Sequence, residues 1–524
     1  MADGARYPLE VALADSQPLG DCDYIWQRVC LQYRRRVEML GEYSEHARRF
    51  LLALDDAPVE QHRRVLGDPV VRATVDGSLS YFKMGGEPFF EDDLRTVFRI
   101  ATANLRKAST VPPLAEASDD HFRASDRLWP WVWSGERADD DPFGDLFQRL
   151  FSRYHHGLVL LTPDSRTREM LLAGMELVQV LCPRLSRSAM SHVHLIALVA
   201  AGRSARFTSM TNPQVPGVIF LSSSVLSNPW QAAEILLHEA MHVKFVDLEH
   251  THSLLSEDYD ASSSPTIRPP WNRAQPDNVN EWPVNRALTV LHVYTCLTLF
   301  FGAVADRSAS LEAQYGPCEV DPAKQVRRSL DRAHYLTQQL ERHEECQECL
   351  GFAGRLFVAW LGGMLRSVDP APPPEDSYAH LVLDLYEREA DELQALIARS
   401  GRGAPGDDAQ WGASIREVAR REIDSTLLAL SMIAEPPAPS VRVAFQEHAA
   451  ALGALEDAKA SFRDSADALL SVRRSVSQAF RGVAPIAEAK SPPGDDGKSA
   501  PGAVIREMVE DSGGHINALA AALA

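Results

Sequence analysis

The sequence predicts a mainly α-helical protein, α+β in class, with a small β-sheet set into its middle. Three observations lead there. Apolar residues recur three and four apart over most of the chain, as in DYIWQRVCLQYRRRVEMLGEYSEHARRFLLAL from Asp23 onward. Two short β-rich runs bounded by Gly, Pro and Asn, HVHLIALVAAG at 192–202 and GVIFLSSS at 217–224, interrupt that pattern. A strongly apolar helix with its own start signal follows the second run at once.

In chain order, residues 22–107 read as helices, and STVPPLAEASDD breaks them. The aromatic RLWPWVW at 127–133 precedes a loop, SGERADDDPFGD, and residues 144–182 read as helical again. The two strands come next. SNPW then supplies Ser227 or Asn228 as an N-cap and Pro229 as the first helical residue, with the helix running to about Leu248. A polar, Pro-rich loop covers 249–283. The apolar run ALTVLHVYTCLTLFFGAVA, 287–305, forms the next helix. Residues 324–400 are helical with a break at DPAPPPED, 369–376; GRGAPGDDAQWG at 401–412 is a loop; helices follow at 412–433 and 440–481. KSPPGDDGKSAPG, 490–502, has linker composition, and the last stretch forms a weak terminal helix. The expected organisation is an N-terminal helical region (1–133), a metal-binding catalytic core (144–310), a C-terminal helical region (311–483), and a flexible linker and tail (484–524).

Composition limits the function. A chain of 524 residues exceeds one compact core, so two or three domains are expected. A formal net charge of −19 argues against a nucleic-acid binder, which needs a basic face. The seven cysteines are few and scattered, which argues against a disulfide framework. The N-terminus lacks a basic segment followed by an apolar run, so no signal peptide is expected. The uncharged 287–305 run approaches the length of a membrane span, but Thr and His punctuate it, and it reads as a core helix. A cytoplasmic location with no membrane partner is the expectation.

The chemistry concentrates in AAEILLHEAMHVKF, 232–245. His238, Glu239 and His242 form H-e-x-x-H inside an apolar helix. Residues four apart share a helix face, so His238 and His242 can chelate one metal ion, with Glu239 beside its open side. In zinc peptidases a glutamate so placed is the general base for metal-bound water. The extended form H-E-x-x-H-x-x-G-x-x-H is excluded, because Phe245 and Leu248 occupy its later positions. Glu257 and Glu281 fall in loop-like sequence, His250 and His252 lie just past the helix end, and His292 sits in the next apolar helix.

Residues 207–301 resemble the H-E-x-x-H peptide-modification proteins encoded beside ribosomally synthesised peptide natural products. The likeness rests on PGVIFLSS, AEILLHEAMH, a Ser-rich loop with PPWNR, and RALTVLHVYTCLTLF. The family's S-P-W-R-like and R-P-x-x-x-x-H elements become Trp271 with Arg273, and Arg286 with His292. An Asn intervenes before Arg273, and Ala287 stands where Pro is usual. The resemblance implies a zincin-like metal helix beside a small sheet, and an iron(II)- and 2-oxoglutarate-dependent oxygenase that hydroxylates a side chain, at the β-carbon, of a precursor peptide. It assigns His238, His242 and His292 to the metal, Glu239 to a catalytic or substitute-ligand role, and Arg286, then Arg273, to the keto acid's far carboxylate. Thr208 and Ser209 would line the same pocket. The strand at 217–222 would pair with an extended peptide. The alternative is a zinc metallopeptidase with Glu239 as general base. A third, non-enzymatic reading is a peptide-binding scaffold with a degenerate metal site. A homodimer is compatible with the helical flanks.

Other features rank lower. His343, Cys346 and Cys349 give one C-x-x-C without a second pair, which reads as helix neighbours rather than a zinc site. His155 and His156 are adjacent and point apart. Trp129, Trp131 and Trp133 read as packing. No phosphate-cradling Gly loop and no G-x-S-x-G occurs.

Overall fold

A computed structural model describes residues 3–84, 91–116, 122–123, 130–135, 141–201, 207–273, 280–373, 379–399, 408–432, 439–458, 461–481 and 501–523. Among these are twenty α-helices, one six-stranded sheet and a two-stranded ribbon, so the mainly helical expectation holds. The chain forms two compact units. Unit 1 comprises 1–261, 285–333 and 340–368; unit 2 comprises 262–284, 334–339 and 369–524. This division differs from the expected succession of domains. Segment 262–284 is tied to the C-terminal helices through Arg273, which pairs with Glu389 at 2.6 Å and donates to Val509 O at 2.7 Å.

Unit 2 is a helical assembly around an apolar core. Leu385, Tyr386, Leu393, Ile423, Phe445, Leu469 and Val476 contribute to it. Helix Pro501–Leu523 adds Val504, Ile505, Met508 and Val509, so the expected tail is part of the core. Its apolar residues recur three and four apart, which suffices once other helices offer a surface. The linker at 490–500 lies outside the described residues. The core also holds a polar set: Tyr386 donates to Glu422 at 2.6 Å, and Arg473 reaches the same carboxylate at 2.6 Å.

Unit 1 carries the sheet: β1 (Phe122–Arg123), β2 (Trp131–Val132), β3 (Leu158–Leu161), β4 (Leu195–Ala201), β5 (Ser209–Thr211) and β6 (Val218–Ser222). Its order is β1-β2-β4-β6-β5, with β3 also paired to β4. The central pair, β4 and β6, is parallel, in register from Leu195–Val218 to Val199–Ser222. Parallel central strands are buried on both faces and read as continuous apolar runs, as Val218 to Leu221 do. Two corrections follow. Residues 144–182 are not one helical stretch: helices Pro142–Tyr154 and Ser165–Leu181 flank β3, whose Leu-Val-Leu-Leu begins after Gly157 at φ +80°. The strand expected to receive a peptide, β6, is interior, between β4 and β5. Among the described strands β5 is one edge of the sheet, antiparallel to β6 through Ser209–Leu221 and Thr211–Ile219. The tract at 127–133 is partly described: Trp131 and Val132 form β2, and buried Trp133 packs on Phe147 at 4.9 Å.

The helix that carries the motif runs Pro229–Thr251. The Asn228 side chain accepts from the Gln231 N–H at 2.9 Å, and Pro229 follows at the first helical position, which needs no donor. The helix is buried on most sides. It packs on helix Ser165–Leu181 so closely that a Cβ on Gly174 would stand 2.7 Å from the Ala232 Cβ. Two of its fully buried charged residues are partnered. Lys244, fully buried, donates to Gly20 O and Ser188 Oγ, both at 2.7 Å. Asp247, also fully buried, accepts from Arg72 at 2.6 Å and pairs with His192 Nδ1 at 2.7 Å.

Helix Val284–Tyr315 is long and apolar enough to cross a membrane, but most of its apolar stretch is buried inside the protein, as in a core helix. Its threonines are satisfied locally: Thr295 and Thr298 donate to Leu291 O and Tyr294 O at 2.8 and 2.9 Å.

The Asp247 cluster yields a stability prediction. Burial alone would raise the Asp247 carboxyl, but the Arg72 guanidinium and the His192 bond override it and hold the pKa well below the usual range. Burial pushes His192 down to about 4. The unfolded chain therefore binds protons that the fold refuses, and stability of the metal-free protein falls as pH drops from about 6.5 toward 4. The Asp247 contribution is complete above its unfolded value of about 3.9 and is lost as pH falls through the depressed native one. Asp247→Ala, which strands the buried Arg72, should cost about 3–5 kcal/mol at neutral pH by chemical denaturation.

Candidate metal site

The motif helix has one partly open stripe. Ile235, His238, His242, Val246 and Glu249 retain intermediate exposure, while Leu236, Leu237, Ala240, Met241 and Val243 between them are buried. Three- and four-residue spacing puts both histidines on that stripe. Their Nε2 atoms stand 3.2 Å apart. Burial pushes His238 down to about 4, and burial followed by the charges of His238 and Arg286 pushes His242 well below its usual range. Both rings are therefore neutral at pH 7 and can offer lone pairs to a cation. The residues fit a shared ion: with metal–nitrogen bonds of about 2.1 Å, this separation would subtend about 100° at the metal. That value lies between octahedral and tetrahedral angles and favours neither iron nor zinc.

Glu239 turns the other way, toward β5. Ser209 Oγ donates to Glu239 Oε1 at 2.7 Å, and the almost fully buried Oε2 has no hydrogen-bond partner among the described residues. Burial raises the carboxyl to about 7, against the lowering effect of Ser209. Ser209 was expected to line a cofactor pocket; its side chain donates to the motif glutamate. Thr208 enters through its backbone, accepting from Ser222 N at 2.8 Å.

His292 is fully buried on helix Val284–Tyr315, edge-on to Phe357 at 5.2 Å. Neither ring nitrogen has a hydrogen-bond partner among the described residues. Burial first, then the charges of Lys244, His242 and His192, hold it well below its usual range, which places it in the same electrostatic neighbourhood as His242. Its nitrogens do not close a three-donor cluster with His238 and His242 within 4.8 Å. Among the described residues the set that meets that spacing is Asp21, Cys22 and Asp23, which is explained without a metal. Asp21 caps helix Cys22–Gly41 by accepting from Asp23 N and Tyr24 N, and Asp23 pairs with Arg63 at 3.3 Å.

The two arginines separate. Arg286 is solvent-exposed at the start of the His292 helix, yet its charge acts on His242. Arg273 lies in unit 2, where Nε and Nη2 hold Glu389 at 2.7 and 2.6 Å, and Nη1 and Nη2 donate to Glu510 O and Val509 O at 3.0 and 2.7 Å. Its fork is occupied in bracing helix Pro501–Leu523. The other third-ligand options fare no better. Glu257 is exposed, Glu281 pairs with Arg268 at 3.0 Å within unit 2, and His252 caps the motif helix. Cys346 and Cys349 lie on a six-residue helix, and burial raises the Cys346 thiol to about 11.

Sequence reading missed β5 and the role of Ser209, because three residues of SMT carry almost no strand signal by themselves. If the imidazoles hold the ion, His238→Ala or His242→Ala lowers cobalt(II) or zinc(II) affinity by more than the roughly 10–100-fold that loss of a supporting contact costs, while Glu239→Gln retains the metal. Equilibrium dialysis of the metal-free proteins checks both. Comparison of the chain with protein-family models and with curated proteins returns no match.

Proposed function

We propose that this protein is an iron(II)- and 2-oxoglutarate-dependent oxygenase that hydroxylates a side chain of a ribosomally synthesised precursor peptide. The observation that carries the reading is the pair of neutral imidazoles 3.2 Å apart on the single open stripe of an otherwise buried helix. Two such ligands and a third, which this reading assigns to His292, leave positions for a bidentate keto acid and dioxygen. Bound iron with that cosubstrate supplies the oxidation; the chain's own residues hold, orient and shield. Arg286, whose charge already reaches His242, is the cation for the distal carboxylate.

The peptide docks on β5. This strand is the sheet edge next to the motif helix, and an edge offers unpaired main-chain groups to an extended segment. The zincin-like relation of sheet edge to metal helix belongs to this reading.

A second reading, a zinc metallopeptidase, is favoured by one observation: Glu239, at about 7, has the basicity of a general base poised near neutral pH. Its acid–base work requires a proton that comes and goes at the unpartnered Oε2.

Anaerobic addition of iron(II) and 2-oxoglutarate separates the two. The oxygenase gives a weak visible charge-transfer band that is lost in His292→Ala and in Arg286→Ala. Tightly held zinc with no such band moves the assignment to the peptidase, whose peptide cleavage Glu239→Gln would abolish.

A further inference from the structure

Glu239 faces a choice that the backbone leaves open. It follows His238 directly on the motif helix, about 100° further round, so its carboxylate can swing toward an ion held by His238 and His242 or away from it. A bare carboxylate beside a divalent cation would bind it. In this structure the carboxylate is held by Ser209. The register Ser209–Leu221 fixes the Ser209 backbone, and period-two alternation puts Ser209 and Thr211 on one face of β5 and Met210 on the other. From there Ser209 Oγ donates to Glu239 Oε1 at 2.7 Å, and no other hydrogen bond reaches this carboxylate among the described residues.

We infer that Ser209 is a positioning residue: it latches Glu239 to the sheet edge and keeps the carboxylate out of the metal's coordination shell. The inference rests on the two-histidine metal reading above but not on whether the metal is iron or zinc. An oxygenase needs the vacated position for its cosubstrate, and a peptidase needs Glu239 as a base rather than a ligand. The latch also couples docking to chemistry. A peptide that pairs with the free edge of β5 orders the same three-residue strand that sets the Glu239 orientation.

Cobalt(II) alone is the probe, because its visible ligand-field absorption weakens as coordination number rises. It is titrated into metal-free wild type, Ser209→Ala, Ser209→Thr, and the double variant Ser209→Ala with Glu239→Gln. Ser209→Ala is expected to lose visible absorption per bound cobalt as the freed carboxylate joins the metal. Ser209→Thr, which keeps the hydroxyl, and the double variant, which removes the anionic ligand, should both restore it. A Ser209→Ala spectrum that superimposes on wild type, or a change that persists in the double variant, overturns the latch while leaving the metal site standing. Cobalt that wild type does not bind, or that His238→Ala binds equally well, overturns the two-histidine reading and the latch with it.

Discussion

The candidate site depends on the buried anchorage of one helix. Helix Pro229–Thr251 is surrounded on most sides, and a slip or rotation would move two imidazoles and a carboxylate at once. Apolar contacts alone tolerate small shifts, because the hydrophobic effect is not directional. Directional bonds do not. The ammonium of Lys244 on Gly20 O and Ser188 Oγ, and the carboxylate of Asp247 between Arg72 and His192, fix the helix about its axis and along it. Each is costly to bury and more costly to leave unpaired. The register that satisfies them is therefore strongly preferred, and the same register leaves His238 and His242 on the open stripe.

The anchoring partners come from distant sequence. Gly20 lies in the turn between the first two helices and Arg72 on helix Pro69–Met84, while Ser188 and His192 belong to the segment leading into β4. The N-terminal region thus contributes to the geometry of the core through hydrogen bonds rather than through apolar packing alone. Trp26 shows the same economy: its ring stacks on His192 at 5.8 Å while its indole N–H donates to Ser191 O at 2.9 Å. The imidazole that holds Asp247 is itself held in plane.

Behind the motif helix the buried charges of Lys244 and Asp247 are partnered. In front, His292 and the second oxygen of Glu239 lack hydrogen-bond partners among the described residues, and His238 and His242 meet chiefly each other. Unmatched polar atoms inside a fold cost free energy; Glu239, next to His238 in sequence, and His292, within electrostatic reach of His242, carry such atoms. In unit 2, Arg273 pairs with Glu389 and donates to Val509 O, and Arg473 pairs with Glu422.

What the sequence determined by itself was local. The capped start at Asn228 and Pro229, the one-turn spacing of His238 and His242, and the apolar β4 and β6 were all legible, because each follows from short-range backbone chemistry or from a period that one segment carries. The helical class was legible for the same reason. What only the tertiary structure decided was everything that required two distant segments. Nothing in SMT marks β5 as the sheet edge; it is a strand because β6 offers it a ladder. Nothing near Arg273 marks it as a brace for the last helix rather than a ligand anchor, since its partners lie more than a hundred residues away. The terminal helix looked like a tail because its apolar stripe is weak in isolation, and becomes core when other helices surround it. The third metal ligand falls in the same class: sequence could nominate His292 but not place it, because the distance between two helices is set by the packing of all the side chains between them.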